Sequence, residues 1–270
     1  GAADIMIIPQ KIDALQKALQ IIKQFDTPFF ILGSGSNIIV GDKGYHGIVI
    51  YMERLDEIEV NRNQITAETG ITLSKLANKA RDAELAGLEF ASGIPGSLGG
   101  ALYMNAGAYG GEMKQVVKKV IALNQRGKQL ELSLEELNLS YRNSVFQDKE
   151  LIAVKAVLDL TPGEKEKISA KMKDLNRKRR EKQPLNWPSA GSIFKRPEND
   201  YAGRLVEEAG MKGVTVGDAQ VSEKHAGFII NKGDATATDI RKLIKKVQKE
   251  VEKMSDIKLE VEPKFIGEFE

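Results

Sequence analysis

The chain of 270 residues contains no cysteine. Disulfides, thiolate catalysis and cysteine-held zinc or iron–sulfur centres are therefore excluded. Histidine is almost as scarce, with only His46 and His225. A histidine-rich metal site is ruled out, a Ser-His-Asp triad would have to recruit one of these two, and no metal is expected. No apolar run approaches the roughly 20 residues of a membrane span. The 40 basic and 38 acidic residues leave a net charge of only +2, and no long charged tail is present. Neither a nucleic-acid partner nor a membrane is expected. A cytoplasmic location is the default expectation.

What remains is a folded, mixed composition: 41% hydrophobic and 29% charged residues. Helical spacing recurs in Ile12, Leu15, Leu19 and Ile22, and in Ile168, Met172 and Leu175. It recurs again in Ala202, Leu205, Val206 and Ala209, with Asp200 as the expected N-cap and Gly210 just past the end. The cleanest stripe is Ile240, Leu243, Ile244, Val247, Val251 and Met254. A shorter helix is expected around Leu73, Leu76, Ala77 and Ala80. Ser133 and Glu136 have the spacing of a capping box on one helical turn. The runs IMIIP, PFFILG, HGIVIYM, LIAVKAVLDL, AGFIIN and KFIG read as strands. The composition turns basic after Gly163, ending in NRKRREKQP, and a new α/β unit begins near residue 186. No repeat has a fixed period. The pattern is mixed α/β or α+β, with a final strand, Ile257 to Ile266, expected to return to an earlier sheet.

Glycine is concentrated, with eight of the 25 between Gly87 and Gly111. Two stretches stand out: FILGSGSNIIV at 30–40 and GIPGSLGGALYMNAGAYGGE at 93–112. A Rossmann fingerprint needs a third glycine at position 38 opening a helix, but Ile38 opens a strand-like run. A P-loop fails because neither stretch ends in Gly-Lys-Ser/Thr. Backbone N–H groups in tight glycine turns still form anion-binding concavities, and serine and asparagine add donors. Two such loops suit a diphosphate held from both sides. The alternative is a pair of ordinary strand turns, and for GSGSN alone the two readings balance.

With these residues in view, the sequence resembles the UDP-N-acetylenolpyruvoylglucosamine reductase family. LGSGSN and GIPGSLGGALYMNAGAYGGE are similar to its flavin-binding segments. SYRNSVF, PSAGSIFKRP, AGRLVEEAG, AQVSEKHAGFIIN and LEVEPKFIG follow in the family's order. The resemblance implies an α+β chain with a vanillyl-alcohol-oxidase/PCMH-type FAD-binding fold in two subdomains plus a C-terminal α/β substrate-binding domain. The implied divisions are 1–51 joined by 259–270, then 52–185, then 186–258. It implies an NADPH-dependent flavoenzyme that reduces the enolpyruvyl group of UDP-N-acetylglucosamine enolpyruvate to UDP-N-acetylmuramate. That product feeds peptidoglycan, and through it cell shape and division. FAD is expected to be non-covalent, NADPH a co-substrate, and the protein a monomer of the shorter subclass.

The implied cofactor residues are Leu32, Gly33, Ser34, Gly35, Ser36, Asn37 and Ile38 in the first loop. In the second they are Ile94, Pro95, Gly96, Ser97, Gly99 and Gly100, followed by Asn105, Ala106, Gly107, Ala108 and Tyr109. Bulk at Gly96 or Gly99 is expected to cost flavin affinity before folding. Ser192 matches the family's proton donor, although a hydroxyl satisfying a turn is the plainer reading of that residue alone. Arg142 matches the family arginine, whose planar fork suits a carboxylate or enolate; a surface salt bridge is the alternative. Glu262 matches the catalytic glutamate, with Glu260 as fallback because both point to one face of a strand. Tyr141, Lys195, Gln220, Lys224, His225 and Asn231 are the implied substrate contacts, although His225 is equally suited to capping a strand. In the RKRR run at 177–180, solvated helix end and diphosphate ligand both stand as readings.

Three departures qualify the match. The chain opens inside a family segment, so part of the flavin cradle is expected to be missing. Arg196 stands where the longer subclass has asparagine. Pro263 replaces a valine, so its strand is expected at an edge or just ending. A related FAD oxidase and a flavin-free phosphate- or nucleic-acid-binding module remain the competing functions.

Overall fold

The structure is a computed structural model that describes residues 1–269. Two compact units divide the chain: Ile5–Gly35 with Gly47–Lys178, and Gly1–Asp4 with Ser36–His46 and Arg179–Glu270. Helices α1 (Ile12–Gln24), α2 (Leu73–Asp82), α3 (Leu98–Tyr103) and α4 (Val145–Asp148) belong to the larger unit. Helix α5 (Lys165–Lys182) runs from one unit into the other, and α6 (Ala202–Glu208) and α7 (Ala237–Ser255) belong to the smaller. Among the described residues no helix is long and apolar enough to cross a membrane.

The larger unit is built on a five-stranded antiparallel sheet. Its order is Gln129–Ser133, Val117–Asn124, Leu151–Asp159, Gln64–Glu68, Ile58–Asn61. The strand Leu151–Asp159 carries an extra residue where Ile121 faces Lys155 but Ala122 faces Ala153. Such a bulge reverses the alternation of side chains. Ile152 and Val154 therefore enter a cluster with Leu15, Leu19 and Ile22 of α1. Ala156 and Leu158, past the bulge, enter a second cluster with Leu76 of α2 and Leu98 and Leu102 of α3. Beside the first cluster, Phe29–Leu32 pairs in parallel with Tyr45–Tyr51, Phe29 opposite Ile48.

Helix α3 lies inside the glycine-rich stretch, which composition alone reads as a loop. Gly99 and Gly100 are poor helix formers. The turn forms because Ser97 caps it, its hydroxyl accepting from Gly100 N at 3.3 Å. Leu98, Ala101 and Leu102 are buried on its inner side. Packing overrides propensity here. Ser133 and Glu136 do exchange side-chain-to-backbone bonds, at 2.8 and 3.4 Å, but around a turn rather than a helix.

The smaller unit has a four-stranded antiparallel sheet ordered Ser189–Ser192, Phe228–Asn231, Ala219–Val221, Thr215–Val216. Its core joins Leu205 and Val206 of α6 to Leu243, Ile244, Val247 and Val251 of α7. The N-cap of α6 is Tyr201, not Asp200; the Asp200 carboxylate instead accepts from Tyr201 N at 2.6 Å and pairs with Arg204. The expected strand Ile257–Ile266 is short: only Lys264–Ile266 is extended, in parallel with Ile38–Val40. Upstream, Val261 makes a single bridge to Phe194, and Pro263 is buried where the strand starts.

Helix α7 begins with a reciprocal Thr236–Asp239 capping box. Asp42, from a different part of the chain, adds a second cap. Its carboxylate accepts from Ala237 N at 2.6 Å, Thr238 N at 2.9 Å and Thr238 Oγ1 at 2.7 Å. Desolvation pushes this carboxyl up, but the Thr238 hydroxyl and the two backbone N–H groups outweigh it and hold its pKa below the usual value. Asp42→Ala is expected to cost about 1 kcal/mol, a typical cap value, read as a lower urea midpoint with unchanged slope. Because the folded pKa is depressed, this contribution is full above about pH 4 and is lost only as the pH falls through the lower folded value.

Candidate active site

In the larger unit the two glycine stretches touch. A Cβ on Gly33 would stand 2.3 Å from Ser97 Oγ and 3.9 Å from Gly100 N. Only glycine allows the first loop to lie against the start of α3. Gly35 and Gly96 have φ of 69° and 148°, which L side chains rarely adopt. The second stretch is held from behind: Gly99 N donates to Thr69 O and Leu98 N to Ile71 O, both at 2.8 Å. A Cβ on Gly99 would press on Thr69, 3.2 Å from its Cβ and 3.3 Å from its O. Gly99 is therefore a packing glycine, and bulk there would disturb the fold as well as any ligand. Gly100 is exposed, and the nearest atom to its Cβ would be Ser97 Oγ at 3.6 Å.

The segment Thr69–Thr72, which carries none of the motifs above, is a third wall. A Cβ on Gly70 would lie 1.9 Å from Met52 O. With Gly33 and Ser34, the residues Gly70, Ile71 and Thr72 line a cleft of about 160 Å³. Tyr51, Glu53, Asp56 and Lys75 complete it, the last two as an ion pair. A hydrogen bond to Glu53, then burial and the Glu53 charge, pushes the Tyr51 hydroxyl up. The usable signal in the sequence was Gly70 between a strand and Thr72, which caps α2 by accepting from Lys75 N at 3.3 Å.

Beyond α3, Gly107–Ala108 and Gly111–Glu112 form a tight hairpin, with Tyr109 and Gly110 both at positive φ. Asn105, buried and also at positive φ, donates to Glu112 Oε2 and Ser140 O, both at 3.1 Å. It also accepts from Lys114 N at 2.9 Å. Its amide thus ties the second glycine stretch to the turn bearing Arg142. That turn closes through paired Ser140–Asn143 backbone bonds at 3.2 and 3.1 Å. Arg142 takes the left-handed position, φ 55°, where glycine or asparagine is favoured. Gln147 Nε2 donates to Arg142 O at 2.9 Å, and the guanidinium lies 5.2 Å from the Tyr141 ring centre. Ile94 packs partly against the core while Pro95 is exposed; Ala106 is half-buried.

The smaller unit holds Ser192, Glu262 and most of the remaining candidates. Ser192 ends a strand that pairs Ser189 with Ile230 but Ser192 with Phe228, a bulge with Gly191 at φ 79°. Bulges of this kind re-aim a side chain. Glu262 N donates to Ile193 O at 2.9 Å, so Glu262 and Ser192 sit on neighbouring chain segments. Glu260 is turned elsewhere: exposed, it pairs with Lys195 Nζ at 2.5 Å. Glu262 is half-buried. Asn37 reaches the same segment, its O accepting from Lys264 N at 3.0 Å and its Nδ2 donating to Glu262 O at 3.5 Å. Ile38 pairs with Lys264.

The other implied substrate residues have partners within this unit. Gln220 Nε2 donates to Gly213 O at 3.2 Å, and Lys224 Nζ donates to Arg180 O at 2.6 Å near the end of α5. Asn231 Oδ1 accepts from Gly233 N and Ala235 N at 2.9 and 3.1 Å, shaping the turn into α7. His225 Nδ1 accepts from Gly227 N at 3.1 Å. Burial, the largest effect, together with the Lys212 and Lys182 charges holds its pKa below the ordinary imidazole value, against a bond to the His225 backbone and the Glu207 charge, which raise it. Leu32 ends the strand before the first loop; Leu32 to Gly35, Tyr141 and Arg142 lie in the larger unit, and Ser36 to Ile38 in the smaller.

Comparison with known proteins matches both parts of this architecture. Residues 3–133 match the FAD binding domain family. Residues 183–266 match the family described as UDP-N-acetylenolpyruvoylglucosamine reductase, C-terminal domain. An FAD-binding domain joined to a reductase domain defines an FAD-dependent oxidoreductase. The UDP-N-acetylenolpyruvoylglucosamine reductase of Caldanaerobacter subterraneus subsp. tengcongensis is 49% identical over 99% of this chain and 89% of that protein. The protein of the same name from Clostridium novyi is 46% identical over 99% and 87%. The crystal structure of UDP-N-acetylenolpyruvylglucosamine reductase from Thermus caldophilus superposes with a TM-score of 0.84 at 33% identity, over 98% of this chain and 93% of that one. The chain belongs to the UDP-N-acetylenolpyruvoylglucosamine reductase family.

Proposed function

We propose that the protein reduces the enolpyruvyl group of UDP-N-acetylglucosamine enolpyruvate to give UDP-N-acetylmuramate, with NADPH as electron source and non-covalent FAD as cofactor. The observation that carries this reading is the match to reductases of that name over 99% of the chain. The residues present fit FAD. The Cβ-free approach of Gly33 to Ser97 and the exposed, uncrowded face of Gly100 leave room for a diphosphate beside the two glycine loops. Gly33, Ser34, Gly96, Ser97 and Gly100, all within the larger unit, would hold it. When bound, FAD would relay a hydride equivalent from NADPH to one carbon of the enolpyruvyl double bond.

The protein's own part is to orient the substrate, balance charge and deliver a proton. Arg142 holds the pyruvyl carboxylate, which its strained turn supports: a left-handed arginine is costly and persists where its position matters. Ser192 gives its hydroxyl proton to the second carbon of the double bond. Glu262, on the segment beside it, is the second acid of the site, and the Lys195 pairing of Glu260 favours this choice. Tyr141, Lys195, Gln220, Lys224 and Asn231 are assigned to substrate positioning. The three-domain division at 51, 185 and 258, a monomeric state and a cytoplasmic location complete the proposal, with a role in cell-wall synthesis and hence in cell shape and division.

Purified protein is expected to show a flavin spectrum, and its NADPH oxidation is expected to be stimulated by the enolpyruvyl sugar. A colourless protein that takes up no FAD sinks the proposal. Oxygen-driven turnover of an alcohol without such stimulation would favour a related oxidase.

A further inference from the structure

We infer that His225 is a positioning residue for Ser192: its Nδ1 lone pair fixes the backbone of Gly227, and Gly227 in turn fixes the segment that carries the Ser192 hydroxyl. The inference rests on Ser192 being the proton donor of the proposed reaction. The chain of contacts lies within the smaller unit. His225 Nδ1 accepts from Gly227 N at 3.1 Å, and Gly227 O accepts from Ile193 N at 2.8 Å. Ile193 O then accepts from Glu262 N at 2.9 Å. One imidazole thus anchors a ladder that reaches both proposed acids.

The ring is itself held on several sides. Ser222 Oγ, buried, accepts from Lys224 N and His225 N at 3.2 and 3.3 Å. Phe228 packs edge-on against the ring, with centroids 5.0 Å apart. Two glycines make room: a Cβ on Gly203 would lie 3.2 Å from His225 Cε1, and one on Gly227 would lie 3.0 Å from it. The Gly227 Cβ would also stand 3.6 Å from Ser192 Oγ, so the ring and the hydroxyl flank the same small residue.

Because Nδ1 is the acceptor, the neutral ring carries its proton on Nε2. A second proton would sit on Nδ1 and face the Gly227 N–H, donor against donor, and the bond would be lost. Glu207 on α6, Lys212 in the turn after it and Lys182 at the end of α5 are the charged groups around the ring. Burial, the largest effect, and the two lysines oppose protonation and outweigh the His225 backbone bond and the Glu207 charge that favour it, so the anchor is intact at neutral pH. It fails on acidification below the ordinary imidazole value of about 6.5.

The test measures the two half-reactions of FAD-loaded protein by rapid mixing, from about pH 5 to 8. His225→Leu is expected to slow reoxidation by UDP-N-acetylglucosamine enolpyruvate about tenfold, since small misplacement of a reacting group is costly. Bleaching by NADPH should be unchanged, and retained flavin absorbance reports a folded protein. His225→Asn, whose Oδ1 replaces Nδ1 as acceptor, is expected to recover most of the loss and to lack the wild-type acid limb. Nitrogen NMR of the two histidines gives a readout independent of turnover: His225 is expected as the Nε2–H tautomer. Wild-type reoxidation in His225→Leu, an acid limb that persists in His225→Asn, or an Nδ1–H tautomer would overturn the inference. If Ser192→Ala turns over normally, the underlying reaction assignment fails as well; if only the His225 outcomes fail, that assignment stands.

Discussion

Ser192→Ala is expected to leave the bleaching of flavin by NADPH intact and to slow reduction of the enolpyruvyl sugar by about 10²–10⁴-fold, the usual worth of a positioned general acid. A serine hydroxyl is a weak acid, so its usefulness depends on where it is held. The bulge at Gly191 turns Ser192 out of strand register, and the next residue is bonded on both sides, to Gly227 O and Glu262 N. The only described bond of the hydroxyl is a 3.3 Å donation to Phe194 O, long for O–H···O and easily given up. Its removal should therefore cost little stability. Equal loss in both half-reactions would point to a damaged flavin site, and wild-type turnover would remove Ser192 from the mechanism.

The second large effect is expected at Gly33. Gly33→Ala would drive its methyl group to 2.3 Å from Ser97 Oγ. Ser97 can yield only by rotating away from Gly100 N and uncapping α3, or the first loop must withdraw. Overpacking of this kind costs about 1–3 kcal/mol. If the withdrawn loop satisfies the free protein but not the flavin-bound one, that cost appears as roughly 5- to 150-fold weaker FAD binding. Gly100→Ala is the control with the opposite fold cost: its Cβ meets nothing closer than 3.6 Å, and alanine favours a helix. It should keep or raise the melting temperature while weakening FAD, because its methyl group occupies the exposed side of the α3 start. Unchanged FAD affinity in both variants would separate the glycine contact from the cofactor site.

Much of this was legible in the sequence. Helices α1, α2, α5, α6 and α7 follow directly from apolar spacing, because each buries one stripe. Helix α3 was hidden, since two adjacent glycines mask a pattern of Leu98, Ala101 and Leu102 that only the surrounding core reveals. Asp42 carried no signal at all. It caps a helix 195 positions further along, and single carboxylates are common on loops. The motifs named Ser192 and Glu262, but their neighbourhood depends on a bulge and on a nearly broken strand, neither of which has a clear periodicity. The choice between Glu260 and Glu262 could not be made from alternation, because both share a face; what separates them in the structure is that Glu260 is exposed and paired with Lys195, whereas Glu262 is half-buried.

The bulged strand Leu151–Asp159 has a further consequence. Its first half supports one apolar cluster and its second half the other, so neither cluster can dissolve without disturbing the same nine residues. The two cores of the larger unit should therefore melt as a single cooperative transition, and amide exchange along this strand should be set by global opening rather than by either core alone.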